Sequence, residues 1–401
     1  MKNFQAKMPQ VDFGPGCIAG IPAVLAGLGD VKNVMLVMDP GVKAAGLGDP
    51  VAKVVTEAGY NVVEWTDIAQ DPTDVIIEEC AVKAKEKNCQ AFIGVGGGAV
   101  LDFTKVLAMI VNHEPPLMDY CPFTKAKVID KDCTPWIAIP TTAGTGSEVT
   151  PMSLITATKI DNRKMMVVDV TQLHKMKAKA CFLDPELITG LPQSLTASTG
   201  MDALSHCVEA YFLEAAHEYS DMWVLRAIQM IGKEKALANA YYNGKDLDAR
   251  GKMMYAARAA AEAFGSCGVL NIGHAIAHGI GETSHVPHGI ACAWGLPYCI
   301  RRSCAVAEDW RVEKAADAMG LDIAGKNKAQ LVAEMEALVM DMMKEFKIPT
   351  PKAYGIATPE NLEAGCYASF NYEAWMLQAG NVEVKEDELH GYYEEMWAWE
   401  W

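Results

Sequence analysis

Nowhere in the 401-residue chain do about twenty apolar residues run together, so no membrane-spanning helix is expected. No two cysteines stand as C-x-x-C, and the twelve present are scattered from Cys17 to Cys366. That excludes a short secreted disulfide scaffold and a cysteine-rich structural zinc site, and points to free thiols in a reducing compartment. Basic residues are in deficit, 35 Lys plus Arg against 51 Asp plus Glu, a net charge of −16. Such a surface repels phosphate backbones and anionic lipid, so neither nucleic acid nor membrane is an expected partner. The first residues, MKNFQAKMPQVDFGPG, contain no apolar signal core, and a cytoplasmic location is expected. No internal repeat or low-complexity tract is visible. Histidine is sparse, with nine in all, which makes its distribution informative.

The length is enough for about two to three domains and a substantial core. In the first half, β-rich runs alternate with helical patterns: NVMLVMD at 33–39, PVAKVVTEAG at 50–59, NVVEW at 61–65, DVIIEECAVKAKEK at 74–87 and AFIGVGGG at 91–98. WIAIP at 136–140 and ACFLD at 180–184 read as further strands. Strand and helix in alternation imply a parallel sheet with crossover helices. After about residue 190 long helical periodicities take over, as in 251–264 and 333–346. The expected organisation is an α/β domain with a parallel sheet over 1–190 and an all-α domain over 191–401, with the cleft between them as the default active site.

Two small-residue loops follow strands. GVGGGAVLDFTK, 94–105, ends a strand and opens a helix, so its backbone N–H groups and the helix N-terminus suit a phosphate. A glycine turn without a ligand has the same look. PTTAGTGSE, 140–148, carries Thr141, Thr142, Thr145 and Ser147 on a glycine-containing backbone, which suits a diphosphate or an amide but also ordinary turn chemistry. A dinucleotide fingerprint of the usual kind puts its glycines after the first strand and an acid about twenty residues later. Here the order is inverted. Asp39 closes the first confident strand, well before the glycines. A carboxylate there suits a ribose diol and repels a 2′-phosphate, although DPG is also a plain turn.

Four of the nine histidines fall in HAIAHGIGETSHVPHG, 274–289. His274 and His278 share a helix face, and His288 follows a loop containing Pro287 that can fold back. Upstream, MDALSHCVEA puts Asp202 and His206 on one helix face. One carboxylate and three imidazoles can therefore converge, a mixed shell suited to iron or zinc. His113, His174, His217 and His390 have no such partners and read as structural or surface residues.

GGGAVLDFTK, PTTAGTGSE, DNRKMM, DPELITGLP, GMDALSHCVEA and HAIAHGIGETSHVPHG, in that order, resemble the iron-containing alcohol dehydrogenase family, and the resemblance covers nearly the whole chain. It implies a Rossmann-like, dehydroquinate synthase-like α/β domain followed by an all-helical one. It makes Asp202, His206, His274 and His288 the ligands of Fe2+, with Zn2+ as the alternative, and places the catalytic His278 beside a nicotinamide. It assigns Asp39, Gly97, Gly98, Asp102, Thr141, Thr142, Thr145, Lys164 and Leu183 to NAD, and Met152 and Phe264 to the substrate pocket. A homodimer or larger homo-oligomer is expected. The chain departs from the family pattern in a longer, more basic stretch over 165–183, in GSCGVLNIG before His274 and in the aromatic ending GYYEEMWAWEW.

The chemistry implied is interconversion of a small alcohol, diol or charged alcohol with its aldehyde, hydride passing to or from nicotinamide. Two alternatives share the architecture: an NAD- and metal-dependent cyclising lyase of the dehydroquinate synthase kind, which needs clustered Lys and Arg that the motifs lack, and a non-catalytic filament subunit, in which nothing would keep the ligand set intact.

Overall fold

A computed structural model of the chain describes residues 7–68, 71–124, 126–160, 162–169, 174–380 and 382–401. These form two compact units, one of Lys7–Thr142 and Gly146–Thr189, the other of Gly190–Trp401 with Ala143–Thr145.

The first unit is built on strands β1 (Gln10–Phe13), β2 (Asn33–Val37), β3 (Asn61–Trp65), β4 (Ala91–Gly96) and β5 (Trp136–Pro140), then β6 (Met152–Ala157), β7 (Arg163–Val168) and β8 (Ala180–Leu183). Six of them make one parallel sheet in the order β1-β8-β5-β4-β2-β3. Every residue of β4, β5 and β8 is buried, as expected for central strands covered on both faces. Ile18, Ile21 and Leu25 pack one side of the core with Val34, Leu36, Ile93, Ile137 and Phe182.

Register brings the two loops together. Val37 of β2 lies beside Gly94 of β4, and Gly96 of β4 beside Pro140 of β5, so Asp39, the glycine run and Thr141 leave three adjacent strands at their carboxyl ends. Strand order reverses between β2 and β4, the place where ligands bind open parallel sheets.

One part was not expected. β6 and β7 form a separate antiparallel hairpin, Met152 opposite Val168 and Thr156 opposite Lys164. The strand β7 accounts for the start of the longer 165–183 stretch, whereas 170–173 lie outside the described residues.

The second unit is helical, with its longest helices at Gln193–Tyr211, Leu247–Cys267, His288–Val306 and Lys328–Glu345. The first is buried at nearly every position from Thr196 on, which explains its near absence of charge. No helix among the described residues is long and apolar enough to cross a membrane.

Candidate metal centre and cofactor loops

The helix Ile272–Ser284 starts on Asn271, whose side chain accepts from the Ile272 N–H, and stops at His285 in the left-handed region, φ 52°. Val286 is buried, Pro287 turns the chain, and a new helix begins at His288. This reversal returns His288 to His274, ring centroids 5.3 Å apart. His285 is spent on the helix end and is exposed.

Glycine decides how closely the helices approach. A Cβ at Gly289 would stand 2.3 Å from the Ser198 carbonyl oxygen, and one at Gly273 would stand 2.6 Å from Glu209 Oε1. The starts of both histidine-bearing helices thus lie against the helix that carries Asp202.

Asp202 Oδ1 is buried with no hydrogen-bond partner among the described residues, and so is His206 Nδ1. Around that oxygen stand His274 Nε2 at 3.6 Å, His288 Nε2 at 3.7 Å and His206 Nδ1 at 3.7 Å. These gaps are too long for hydrogen bonds. They suit neighbouring donors around one ion with bonds of about 2.0–2.3 Å. Donor atoms of Asp202, His274, His288 and Cys292 all lie within 4.8 Å of one another. His206 is not of that group. Its ring stacks between His274, at 4.5 Å, and Phe264, at 4.8 Å.

Cys292 escaped the sequence reading. It follows His288 by one helical turn, a spacing that puts both on one face, and that was the available signal. Its Sγ lies 3.4 Å from His288 Nε2 and 3.5 Å from His274 Nε2.

Behind the donors, Glu209 is fully buried. Its Oε1 accepts from His274 Nδ1 at 2.6 Å, and its Oε2 accepts from the backbone N–H of Asn271 and His274. This fixes Nδ1 as the protonated nitrogen and turns Nε2 towards Asp202. Burial would raise the Asp202 carboxyl, but the imidazoles of His206, His288 and His274 hold it well below the usual carboxylate range. Burial pushes His206 down to about 4, against the opposing pull of Asp202. At neutral pH Asp202 is therefore ionised and His206 neutral, the forms a metal ion needs, whereas burial at His274 is outweighed by Cys292, Glu209 and Asp202, which hold it well above the ordinary imidazole range.

His278 stands apart from Asp202, its Nδ1 3.4 Å from Glu373 Oε1 and its ring 5.6 Å from that of His288. Phe264 is buried against His206, which makes it packing for a candidate ligand. The remaining histidines have structural partners or face solvent: His217 caps the helix Glu218–Ile231, His113 bonds the Met109 carbonyl and His390 pairs with Glu363.

In the α/β unit Asp39 does two things at once. It follows β2 by two residues and caps the helix Pro40–Ala44, accepting from Val42 N at 2.9 Å. Gly97 caps the helix Gly98–Ile110, and a Cβ on it would meet Thr142 Cγ2 at 3.3 Å. The Thr141 N–H donates to the Gly96 carbonyl, and Leu183 is buried at the end of β8. Asp102 is occupied within the protein: it accepts from Ser147 Oγ at 2.5 Å and Leu154 N at 2.8 Å. Beside it the fully buried Lys105 donates to Ser147, Thr150 and the Met152 carbonyl. This network ties the glycine-loop helix to the residues after the second loop. Lys164, on the hairpin, pairs with Asp71, and Thr145 falls in the short segment that belongs with the helical unit.

The family model described as iron-containing alcohol dehydrogenase matches residues 9–185, and the one for the C-terminal part of the Fe-containing alcohol dehydrogenase family matches residues 196–395. The chain is 32% identical over 368 residues to the NAD-dependent methanol dehydrogenase of Bacillus methanolicus, covering 90% of this chain and 92% of that protein. It superposes on a crystal structure of 1,3-propanediol oxidoreductase with a TM-score of 0.90 at 27% identity, covering 98% and 100% of the two chains. With sulfoacetaldehyde reductase from Bifidobacterium kashiwanohense in complex with NAD+ the TM-score is 0.86 at 25% identity, covering 99% and 100%.

Proposed function

The chain belongs to the iron-containing alcohol dehydrogenase family, and from that premise we propose that it interconverts a small primary alcohol, diol or charged alcohol and its aldehyde with NAD(H) and one divalent ion. The observation that carries this reading is the buried Asp202 Oδ1, unsatisfied by any hydrogen bond among the described residues and faced by three imidazoles. Asp202, His206, His274 and His288 would hold the ion. Mixed nitrogen and oxygen donors do not select zinc strongly, so availability in a cytosol rich in ferrous iron favours Fe2+, with Zn2+ as competitor.

When bound, the ion supplies Lewis acidity and the nicotinamide the hydride-exchanging ring. The chain's own residues do the rest. Glu209 keeps the proton on His274 Nδ1 and so presents Nε2. Glu373 faces His278 Nδ1, which leaves Nε2 as the atom that takes up and gives back a proton. The helix Gly98–Ile110 offers its N-terminus to the diphosphate, and Asp39 at the end of β2 favours a ribose diol over a 2′-phosphate. Twelve free cysteines fit a reducing cytoplasm, and assembly into a homodimer or larger homo-oligomer belongs to the same proposal.

The test is a panel of short aldehydes, diols and sulfonated or phosphonated aldehydes, assayed anaerobically with NADH and NADPH after loading with Fe2+ or Zn2+. Iron-supported, NADH-preferring turnover of one class is expected. Absence of nicotinamide oxidation across the whole panel, with metal bound, would reject the reading.

A further inference from the structure

We propose that Cys292 Sγ is itself a donor to the ion held at Asp202, so that the centre combines carboxylate, imidazole and thiolate. The proposal rests on the metal-dependent reading above and adds a ligand to it. Four observations carry it. Sγ lies 3.4 and 3.5 Å from the very nitrogens, His288 Nε2 and His274 Nε2, that face Asp202 Oδ1. The four residues form the set whose donor atoms lie within 4.8 Å of one another. Asp202 is 2% exposed and its Oδ1 has no hydrogen-bond partner among the described residues, so the point the thiol faces already calls for a cation. Finally, Cys292 is buried and follows His288 by one turn of the same helix, which puts both on one face.

Charge supplies the physical reason. Among its direct donors a divalent ion here would meet a single carboxylate, and Glu209 offsets the remaining charge only from behind His274. A thiolate would place the balancing charge in direct contact with the ion. As the sulfur–metal bond forms the S–H bond breaks, its proton leaves to solvent, and no electron is transferred. A sulfur donor favours zinc more than nitrogen and oxygen alone do, so Zn2+ would compete more strongly with Fe2+ at this centre.

The experiment uses the full-length chain, stripped with chelator and titrated anaerobically with Co2+, read by absorption. The expected spectrum has visible ligand-field bands together with a near-ultraviolet sulfur-to-cobalt charge-transfer band at one ion per chain. Cys292→Ser should keep the visible bands and lose the charge-transfer band. Its Zn2+ affinity should fall by at least the roughly 10- to 100-fold that loss of an outer-shell partner costs. Eleven other cysteines are present, so Asp202→Ala serves as control and should lose both sets of bands. Visible bands without a sulfur band in the wild type, or a sulfur band that survives Cys292→Ser, would overturn the thiolate while leaving the metal centre standing. Undiminished cobalt binding by Asp202→Ala would instead overturn the metal centre, and the thiolate with it. The wild-type and Asp202→Ala spectra decide the matter even if Cys292→Ser does not fold.

Discussion

Glu209 controls the centre without facing the ion. One of its oxygens accepts a hydrogen bond from His274 Nδ1 and the other accepts from two backbone N–H groups. Glutamine in its place keeps an acceptor for the backbone but cannot both accept from Nδ1 and carry the charge that makes Nε2 a stronger donor. Glu209→Gln is therefore expected to weaken Zn2+ binding by about 10- to 100-fold, measured by competition with a chromophoric chelator. His278 calls for the opposite outcome, because it pairs with Glu373 and lies outside the cluster of donors. His278→Ala should retain one metal per chain and lose about two to four powers of ten in turnover. Loss of the metal in that variant would make His278 a ligand instead.

Among the elements, two joints set the geometry. The helix His288–Val306 reaches Asp202 because Gly289 lets its first turn touch the Ser198 carbonyl. Gly289→Ala places a carbon 2.3 Å from that oxygen, so the helix has to shift. The expected cost is that of overpacking, about 1–3 kcal/mol. It should be seen as a lowered Tm accompanied by reduced metal content, and a fall in Tm with full metal content would show that the shift spares His288. The second joint is Asp39, two residues past β2 and the cap of the next helix. Replacing a capping Asp with Gly costs only a few tenths of a kcal/mol. Asp39→Gly should thus leave Tm nearly unchanged while narrowing the ratio of kcat/KM for NADH over NADPH. An unchanged ratio would remove Asp39 from cofactor selection.

At the scale of the whole molecule, the aromatic C-terminal helix Glu386–Trp397 is fastened by Arg301. Its guanidinium donates two bonds of 2.8 Å to Glu395 and also reaches Glu336 of the helix Lys328–Glu345. Arg301 holds the Glu395 carboxyl below its ordinary 4.5. A carboxyl depressed in the folded state stabilises above its unfolded pKa and loses that contribution as pH falls through the folded value. Arg301→Gln should therefore lower Tm at pH 7, and the gap from wild type should close in acid, below about pH 4.5, as Glu395 protonates. Both side chains are more than a third exposed, so screening keeps the effect to about 1 kcal/mol. A gap that is constant with pH would assign the loss to packing of the arginine stem.

The boundary between what sequence and structure each decide is physical. Central strands such as AFIGVG and WIAIP are buried on both faces, so the β-branched and apolar run is their signature. β1, QVDF, is only part-buried and carries no such run, and the β6–β7 hairpin is joined by polar residues that also suit a loop. The sequence by itself determined the α/β-then-helical order and the glycine and threonine loops, and it offered Asp202, His206, His274 and His288 as a candidate cluster, because the shared helix faces and the turn before His288 follow from local spacing. Only the tertiary structure decided that Cys292 joins that cluster, that Glu209 and Glu373 stand behind His274 and His278, that Asp102 is bound to Ser147, and that Phe264 packs on His206. Those contacts join residues remote in the chain or choose one face among several, and that choice is made by packing of whole elements, which no local period records.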